Sequence, residues 1–434
     1  MTGDGSAGLR GYLEADSEGA ASAPAVRPPA AAPPEDAVPP PPARGFEPER
    51  AGLTASLPDD VALLCVTASR WEGEPRLTLN WHHRRSVRSA SHERISLELP
   101  PSDLSLARLV REAGERRDGR AWRDAYYEVM NWWLPETRLM EWIRELLATP
   151  GGGRLVVWDN TAHDIAWELL YHQPSLNDPD PTTGWLGELI PVIRWTSVHD
   201  GERYRRYSAE EWAGEGGLLM LEDETLDGGR PADAPDSFTP YLVEPRARTV
   251  PELMSRLGEP GEPFGLLLIR CHGVYSPETR RFTLGGLSLN EYTDFSMAAL
   301  RRFRAPVLLN ACSSGRTVAD ARHPGAPVRG FAELFLRRGA SAVIATVGDI
   351  DLNHSHDFAV RLLLETEAGQ TNLAAVLHGH RRHYARLARR RPGEREDSRT
   401  EADFKLFFDS FLYVYFGHPD TSLVTVTAAH RSTS

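Results

Sequence analysis

The sequence predicts an α/β protein with a mostly parallel β-sheet that is flanked by helices. From residue 151 onward, short apolar runs of strand length alternate with stretches whose apolar residues recur at helical spacing. Two of these runs, at 266–269 and 306–309, are apolar throughout, which is typical of strands buried on both faces. We therefore expect parallel strands joined by crossover helices, with helices on both faces of the sheet.

Composition divides the chain into three segments. Residues 1–57 are rich in Ala, Pro and Gly and include four consecutive prolines at 39–42. Because few large apolar residues offset the entropy of ordering, we expect a disordered tail there, with a ligand for a proline-binding module as the alternative. Residues 58–150 predict a small N-terminal module of strands and helices, and residues 151–434 predict the main domain.

The individual elements follow from local periodicity. The expected strands share short apolar or alternating patterns and are residues 61–66, 77–81, 95–99, 154–158, 189–193, 217–221, 266–269, 306–309, 342–346 and 412–416. The expected helices share a 3.6-residue spacing and are residues 104–148 with breaks near Gly119 and Pro135, then 164–170, 249–257, 291–303, 330–336, 355–367 and 371–389. Thr249 and Glu252 suit a capping box at one helix start. Residues 223–240 predict a long loop because they hold several glycines and prolines.

Charge and cysteine usage exclude several classes of protein. The 434 residues carry a formal net charge of −12, so we expect no direct binding to a nucleic-acid backbone. We expect no membrane span, because no run of about 18 uncharged apolar residues occurs. The first residues lack a basic and then apolar signal pattern. Three cysteines do not suit a disulfide framework, so we expect a cytoplasmic protein.

A histidine and a cysteine follow the two fully apolar runs. His272 and Gly273 come after the first run, and Cys312 follows Asn310 and Ala311 after the second. Residues just past the carboxyl ends of neighbouring parallel strands meet in one crevice. A thiol beside an imidazole there forms the minimum set for a cysteine nucleophile. The alternative is packing alone, which we expect for Cys65 and Cys271 because cysteine is among the most buried residue types.

These two elements resemble motifs of a known family. His272-Gly273 and residues 310–315 resemble the His-Gly and Ser-Ala-Cys-x-Thr-Gly elements of CHAT-domain proteins, which belong to the caspase, separase and gingipain clan of cysteine peptidases. Residues 166–170, 330–340, 342–351 and 411–417 resemble further elements of the family in the same order. The resemblance covers about residues 150–425 and implies a caspase-like fold. Two positions depart from the pattern: Asn310 replaces Ser, and Gly348 stands where Trp is usual, which predicts a more open pocket wall.

The resemblance implies a cysteine endopeptidase that needs no cofactor. Cys312 would attack the peptide carbonyl, and His272 would serve as general base or as proton donor from a preformed ion pair. The main-chain N–H groups of Gly273 and Cys312 would hold the oxyanion. Bacterial relatives are often regulated effectors in defence or cell-death systems, so the implied partners are a protein or peptide substrate and an activating or sensor protein.

Two acidic residues are candidates for substrate binding. Asp351 falls where the family places an acidic residue near the first specificity pocket, and Asp349 lies beside it. A carboxylate there would select Lys or Arg before the scissile bond through a charge-assisted contact. The alternative is that Asp351 or Asp349 caps the following helix.

Three further interpretations concern a self-cleavage loop, a metal site and alternative functions. The arginines between 381 and 395 predict a self-cleavage loop if the pocket prefers basic residues, with a solvated helix face as the alternative. The histidines at 354–356 and 378–383 match no common zinc spacing, so we expect no metal. A catalytically silent CHAT-fold interaction module competes with the enzyme, whereas a nucleotide-binding protein would need a phosphate-binding Gly-Lys-Ser/Thr loop that the sequence lacks.

Overall fold

The computed structural model of the protein describes residues 58–71, 74–83, 95–96, 105–133, 137–149, 153–159, 161, 163–173, 182–200, 203–206, 211–226, 236–259, 261–276, 281–318, 329–389 and 399–431. The predicted tail at 1–57 lies outside these residues, as do residues 97–99 of the third expected strand and 227–235 of the expected loop. All described residues belong to one compact unit that spans residues 46–434.

Each expected strand has a counterpart, and the described residues add short strands that were not predicted, such as those at 197–200, 273–276 and 422–425. They are β1 Val61–Trp71, β2 Glu74–His82, β3 Ile95–Ser96, β4 Arg154–Asp159, β5 Tyr171–His172, β6 Gly184–Trp185, β7 Val192–Trp195, β8 Ser197–Asp200, β9 Arg203–Arg206, β10 Ala213–Glu222, β11 Phe264–Arg270, β12 Gly273–Ser276, β13 Arg281–Leu284, β14 Leu287–Ser288, β15 Val307–Asn310, β16 Ala342–Thr346, β17 Thr371–Asn372, β18 Tyr413–Gly417 and β19 Ser422–Thr425.

The helices also follow the predicted pattern, with three additions among the described residues, at 186–189, 401–412 and 428–431. They are α1 Leu106–Glu115, α2 Ala121–Asn131, α3 Thr137–Leu147, α4 Leu186–Leu189, α5 Val250–Gly258, α6 Leu289–Asp294, α7 Ala298–Phe303, α8 Phe331–Arg337, α9 Leu352–Glu367, α10 Leu373–Ala388, α11 Glu401–Leu412 and α12 Ala428–Arg431. Helix α11 was not predicted, although Phe404, Phe407, Phe408 and Phe411 recur at helical spacing and are buried. The expected helical turn at 164–170 is a short 3₁₀ helix, Trp167–Leu169.

A twelve-stranded sheet organises the described residues, in the order β17-β19-β10-β11-β15-β16-β18-β7-β4-β1-β2-β3. Among its strands, neighbours are parallel except at β17–β19, β16–β18, β1–β2 and β2–β3. The expected mostly parallel sheet is therefore confirmed. Because β16 and β18 are antiparallel, β10, β11, β15 and β16 end at one edge, whereas β7, β4 and β1 end at the other.

Alternation along the strands produces two cores. Leu267 and Ile269 of β11 point into one cluster, together with apolar residues of α1, α5, α8 and α11. Leu266 and Leu268 point into the cluster on the opposite face, which α9 and α10 cover. Successive side chains of a strand face opposite sides, so fully apolar strands require helices on both faces.

The predicted boundary at residue 150 falls between strands of the same sheet. β1 pairs in parallel with β4, and Leu63 lies opposite Val156 in that register. β2 then pairs with β1, so the expected N-terminal module extends the sheet of the main domain. The boundary itself stays a prediction. Within the described part of the chain, no helix is long and apolar enough to cross a bilayer.

A buried ion network explains one of the motif elements. Glu168, which follows Trp167 in the 3₁₀ helix, accepts hydrogen bonds from the Arg194 guanidinium of β7. Arg381 of α10 lies 3.5 Å from the same carboxylate and is fully buried. Burying charges is costly unless they are paired. Glu168 therefore links β7 of the sheet to helix α10, and its role in the motif is structural.

Candidate functional site

The candidate site lies where β11 and β15 end. The two strands are parallel neighbours, and Arg270 pairs with Asn310 at the end of their register. His272 and Cys312 each follow that pair by two residues, so equal lengths of chain bring them to the same edge of the sheet. His272 is exposed and Cys312 is half-buried, whereas Cys271 packs inside the core.

Gly273 joins the two chain segments by direct backbone contact. A β-carbon built on Gly273 would lie 2.0 Å from the carbonyl oxygen of Cys312 and 3.1 Å from its nitrogen. Ordinary contacts of a β-carbon begin at about 3.4 Å. Only glycine therefore permits this approach, and the segment that carries His272 lies directly against the backbone of Cys312.

A tight turn presents the cysteine. Ser313 has a φ of 57°, a left-handed conformation that is uncommon for a residue with a side chain. Its N–H donates to the carbonyl of Gly348 at 2.9 Å, and the N–H of Gly315 donates to the carbonyl of Thr346 at 2.7 Å. These bonds tie the turn to the end of β16. Strained turns of this kind persist where the surroundings determine the conformation, as they do at many functional sites.

The surroundings of Cys312 favour the neutral thiol. Burial raises the pKa of the Cys312 thiol, and the carboxylates of Asp349 and Asp409 add to that rise. The N–H of Ile350 donates a hydrogen bond to the sulfur and opposes the rise. The sulfur thus rests against the loop that follows β16, and the net effect is a thiol that holds its proton more tightly than a free cysteine does.

The two predicted acidic residues, Asp351 and Asp349, lie in different environments. Asp351 caps α9, because its side chain accepts hydrogen bonds from the N–H groups of Asn353 and His354, and it accepts a third from Lys405 at 3.2 Å. Partial burial works to raise the pKa of Asp351, but these donors outweigh it and hold the pKa below its usual range. The capping alternative is thus confirmed for Asp351. Asp349 is exposed and acts electrostatically on Cys312, and a binding role for either residue stays a prediction.

Sequence reasoning missed Lys405 and Asp409 of α11. Lys405 bridges Asp351 and Asp409, the latter at 2.8 Å. Burial raises the pKa of Asp409 to about 6, and the ammonium of Lys405 opposes that rise. An acidic residue inside the apolar run of α11 was the available signal, since buried carboxylates need a partner.

The predicted opening at Gly348 is wrong. A β-carbon on Gly348 would lie 2.7 Å from Cδ2 of Leu412 and 3.4 Å from Cα of Ala107. Leu412 ends α11, and Ala107 lies in the first turn of α1. The N-terminal helix therefore occupies the space beside this glycine, and the missing side chain permits close packing instead of an open wall.

The remaining clusters are largely accounted for by packing. Nε2 of His354 and Nε2 of His380 lie 3.1 Å apart in the helix layer, and within the described residues no group of three or more His, Cys, Asp or Glu is placed to hold a metal ion. Arg381 is buried in α10, so the bond after it is inaccessible to cleavage. Arg389 pairs with Glu188, and the arginines at 390–395 lie outside the described residues.

Comparisons with known proteins identify the domain that holds this site. The CHAT domain family matches residues 225–412, a narrower range than the expected 150–425. Two crystal structures of the separase–securin complex from Saccharomyces cerevisiae are similar, with TM-scores of 0.43 and 0.40 and 10% sequence identity, over 84% and 85% of this chain. The chain spans 30% of the length of those chains. No curated protein matches the sequence. The residues that match the CHAT domain family, 225–412, include both His272 and Cys312.

Proposed function

We propose that this protein is a cysteine endopeptidase in which His272 and Cys312 form the catalytic pair. The observation that carries the proposal is the backbone contact of Gly273 with Cys312, where a β-carbon would come within 2.0 Å of the carbonyl oxygen. That contact brings the exposed His272 and the half-buried Cys312 onto adjoining segments. The family match at residues 225–412 supports the same conclusion.

The proposed reaction is acyl transfer to sulfur. The Cys312 sulfur attacks the peptide carbonyl carbon while its proton passes to His272. The main-chain N–H groups of Gly273 and Cys312 stabilise the resulting oxyanion. The carbon–nitrogen bond breaks, and His272 gives the proton to the departing amine. Water then attacks the thioester with His272 as base, which releases the acid and restores the thiol.

The electrostatics of the site favour one of the two roles considered for His272. Burial and two carboxylates raise the pKa of Cys312, so its surroundings favour the neutral thiol. A preformed thiolate–imidazolium pair would need surroundings that lower the thiol pKa. We therefore assign His272 as the general base that removes the proton during attack.

Alkylation and peptide cleavage together test the proposal. Cys312 should react with iodoacetamide faster than Cys65 and Cys271, both of which are buried, and His272→Ala should slow that reaction. The wild type should cleave members of a peptide library, and Cys312→Ala should abolish cleavage while Cys65→Ala preserves it. The proposal fails if Cys312 reacts no faster than Cys65 and no peptide is cut in a Cys312-dependent way.

The competing proposal is a catalytically silent module that keeps the CHAT fold for protein interaction. The raised pKa of Cys312 is the observation that favours it, since a protonated thiol is a weak nucleophile. The same experiments separate the two proposals, because a silent module would retain its fold and partner binding in Cys312→Ala and show no His272-dependent reactivity.

We further propose that the site prefers substrates with Lys or Arg before the scissile bond. Asp349 supports this preference, because its exposed carboxylate acts on the Cys312 thiol, whereas Asp351 is already held by two N–H groups and by Lys405. Asp349→Asn should therefore reduce cleavage after basic residues more than Asp351→Asn does. An equal preference for neutral residues in the wild type would remove the idea.

The proposed biological role rests on the CHAT-domain resemblance. We propose a regulated bacterial effector in a defence or cell-death system, controlled by an activating or sensor protein. The thiols of Cys271 and Cys312 are free, which suits a reducing cytoplasm. Copurification of a partner that changes Cys312-dependent cleavage would test this role, and full constitutive activity of the isolated chain would argue against it.

A further inference from the structure

One side chain joins the segment of His272 to the segment of Cys312. Arg316 follows Cys312 by four residues, and its guanidinium carbon lies 4.0 Å from the centre of the Tyr275 ring. Tyr275 belongs to β12, the strand that begins directly after His272. A guanidinium over an aromatic face is held by the negative charge of the ring face. The contact therefore links the segment after Cys312 to β12, in addition to the backbone contact at Gly273.

Asp164 is the second partner of the Arg316 guanidinium. The Asp164 carboxylate lies 3.5 Å from the Arg316 guanidinium and accepts a hydrogen bond from the Ser105 hydroxyl at 3.1 Å. It also accepts from the N–H of Ala107. Ser105 is the N-cap of α1, and its side chain accepts a hydrogen bond from the N–H of Arg108. The start of α1 thus fixes the carboxylate, and the carboxylate fixes the arginine.

The same turn of α1 also reaches the loop on the other side of Cys312. Ala107 packs against Gly348, whose carbonyl accepts the N–H of Ser313 in the strained turn. The beginning of α1 therefore contacts Gly348 directly and reaches Arg316 through Asp164. An isolated β-bridge between Ser105 and Ile165 anchors this part of α1 to the segment that carries Asp164.

We propose that Arg316 is a positioning residue that sets the spacing between His272 and Cys312, with Asp164 and the first turn of α1 as its support. The inference rests on the proposed function, because the spacing matters only if the two side chains react together. Arg316 touches no reacting atom. Its effect arises because proton transfer requires the imidazole and the thiol to stay within hydrogen-bond reach, and its loss frees β12 to move away from the turn.

A double-mutant experiment on the full chain separates this role from a general effect on folding. The rate of Cys312 alkylation by iodoacetamide is measured in Arg316→Met, His272→Ala and the double variant. We expect Arg316→Met to slow alkylation about tenfold, less than the roughly 10²-fold that a full 1 Å misplacement of reacting groups can cost. In the His272→Ala background the same substitution should change the rate little, since Arg316 acts through His272.

Two further variants keep the test decisive. Arg316→Lys retains a cation over Tyr275 and should recover most of the lost rate, and Tyr275→Leu should reproduce the loss while Arg316 and Asp164 stay paired. Equal slowing by Arg316→Met with and without His272 would overturn the inference, as would wild-type rates in Arg316→Met or Tyr275→Leu. If the rate of Cys312 alkylation is the same in the wild type and in His272→Ala, the proposed function is refuted instead.

Discussion

Replacement of Gly273 by alanine should separate the two halves of the candidate site. The new β-carbon would start 2.0 Å from the Cys312 carbonyl oxygen, and ordinary contact begins at about 3.4 Å. One backbone segment must therefore move by about an ångström, because the obstacle is main chain and cannot rotate away as a flexible side chain could. The movement carries His272 away from Cys312.

The expected magnitudes follow from that displacement. Forced overpacking of this kind typically costs about 1–3 kcal/mol of stability, which a domain of this size can tolerate. A displacement of about 1 Å between reacting groups costs on the order of 10²-fold in rate. Gly273→Ala should thus fold and yet lose about 10²-fold in Cys312-dependent peptide cleavage and in His272-dependent alkylation.

Gly286→Ala is the matched control for this substitution. Gly286 lies in the same small sheet region, has a φ of 81°, and has nothing within 4 Å of its would-be β-carbon. Its replacement should cost about 1 kcal/mol of backbone strain without moving Cys312. Rates within threefold of wild type in Gly273→Ala, with a normal thermal transition, would refute the reasoning that this contact positions the pair.

Three further predictions concern buried ionisable groups. Burial lowers the pKa of His354 from 6.5 to about 4, so below pH 6.5 the unfolded state takes up a proton that the folded state does not. The unfolding free energy should therefore fall by about 3 kcal/mol between pH 6.5 and about pH 4. Urea titrations at several pH values should show a smaller fall in His354→Gln. Burial raises the pKa of Asp409 from 3.8 to about 6, so its ionised form costs stability above that range; Asp409→Asn should gain up to about 3 kcal/mol at neutral pH, and a gain that persists below pH 4 would contradict this. Glu168→Ala should lose about 3–5 kcal/mol in the same assay because Arg194 and Arg381 lose their buried partner, and a loss below 1 kcal/mol would argue against the ion network.

Local patterns were sufficient for most of the elements near the site. The apolar runs before His272 and Cys312 form β11 and β15, and their parallel pairing follows from alternation with helices. Asp351 at the start of α9 was expected as a capping candidate because a short acidic side chain satisfies free N–H groups there. Helix α11 was missed although its phenylalanines repeat at helical spacing, and with it the sequence reasoning missed Lys405 and Asp409.

What the sequence alone determined was the α/β class, the order of the strands along the chain, and the two residues that the strands bring to one edge. These follow from periodicity and from which residues end each strand, both of which are local properties. The contact of Gly273 with Cys312, the packing of Ala107 on Gly348 and the bridge of Arg316 to Tyr275 were decided by tertiary structure. Each joins segments that are distant in the chain, and such contacts depend on how the whole sheet twists and packs, which no local pattern records.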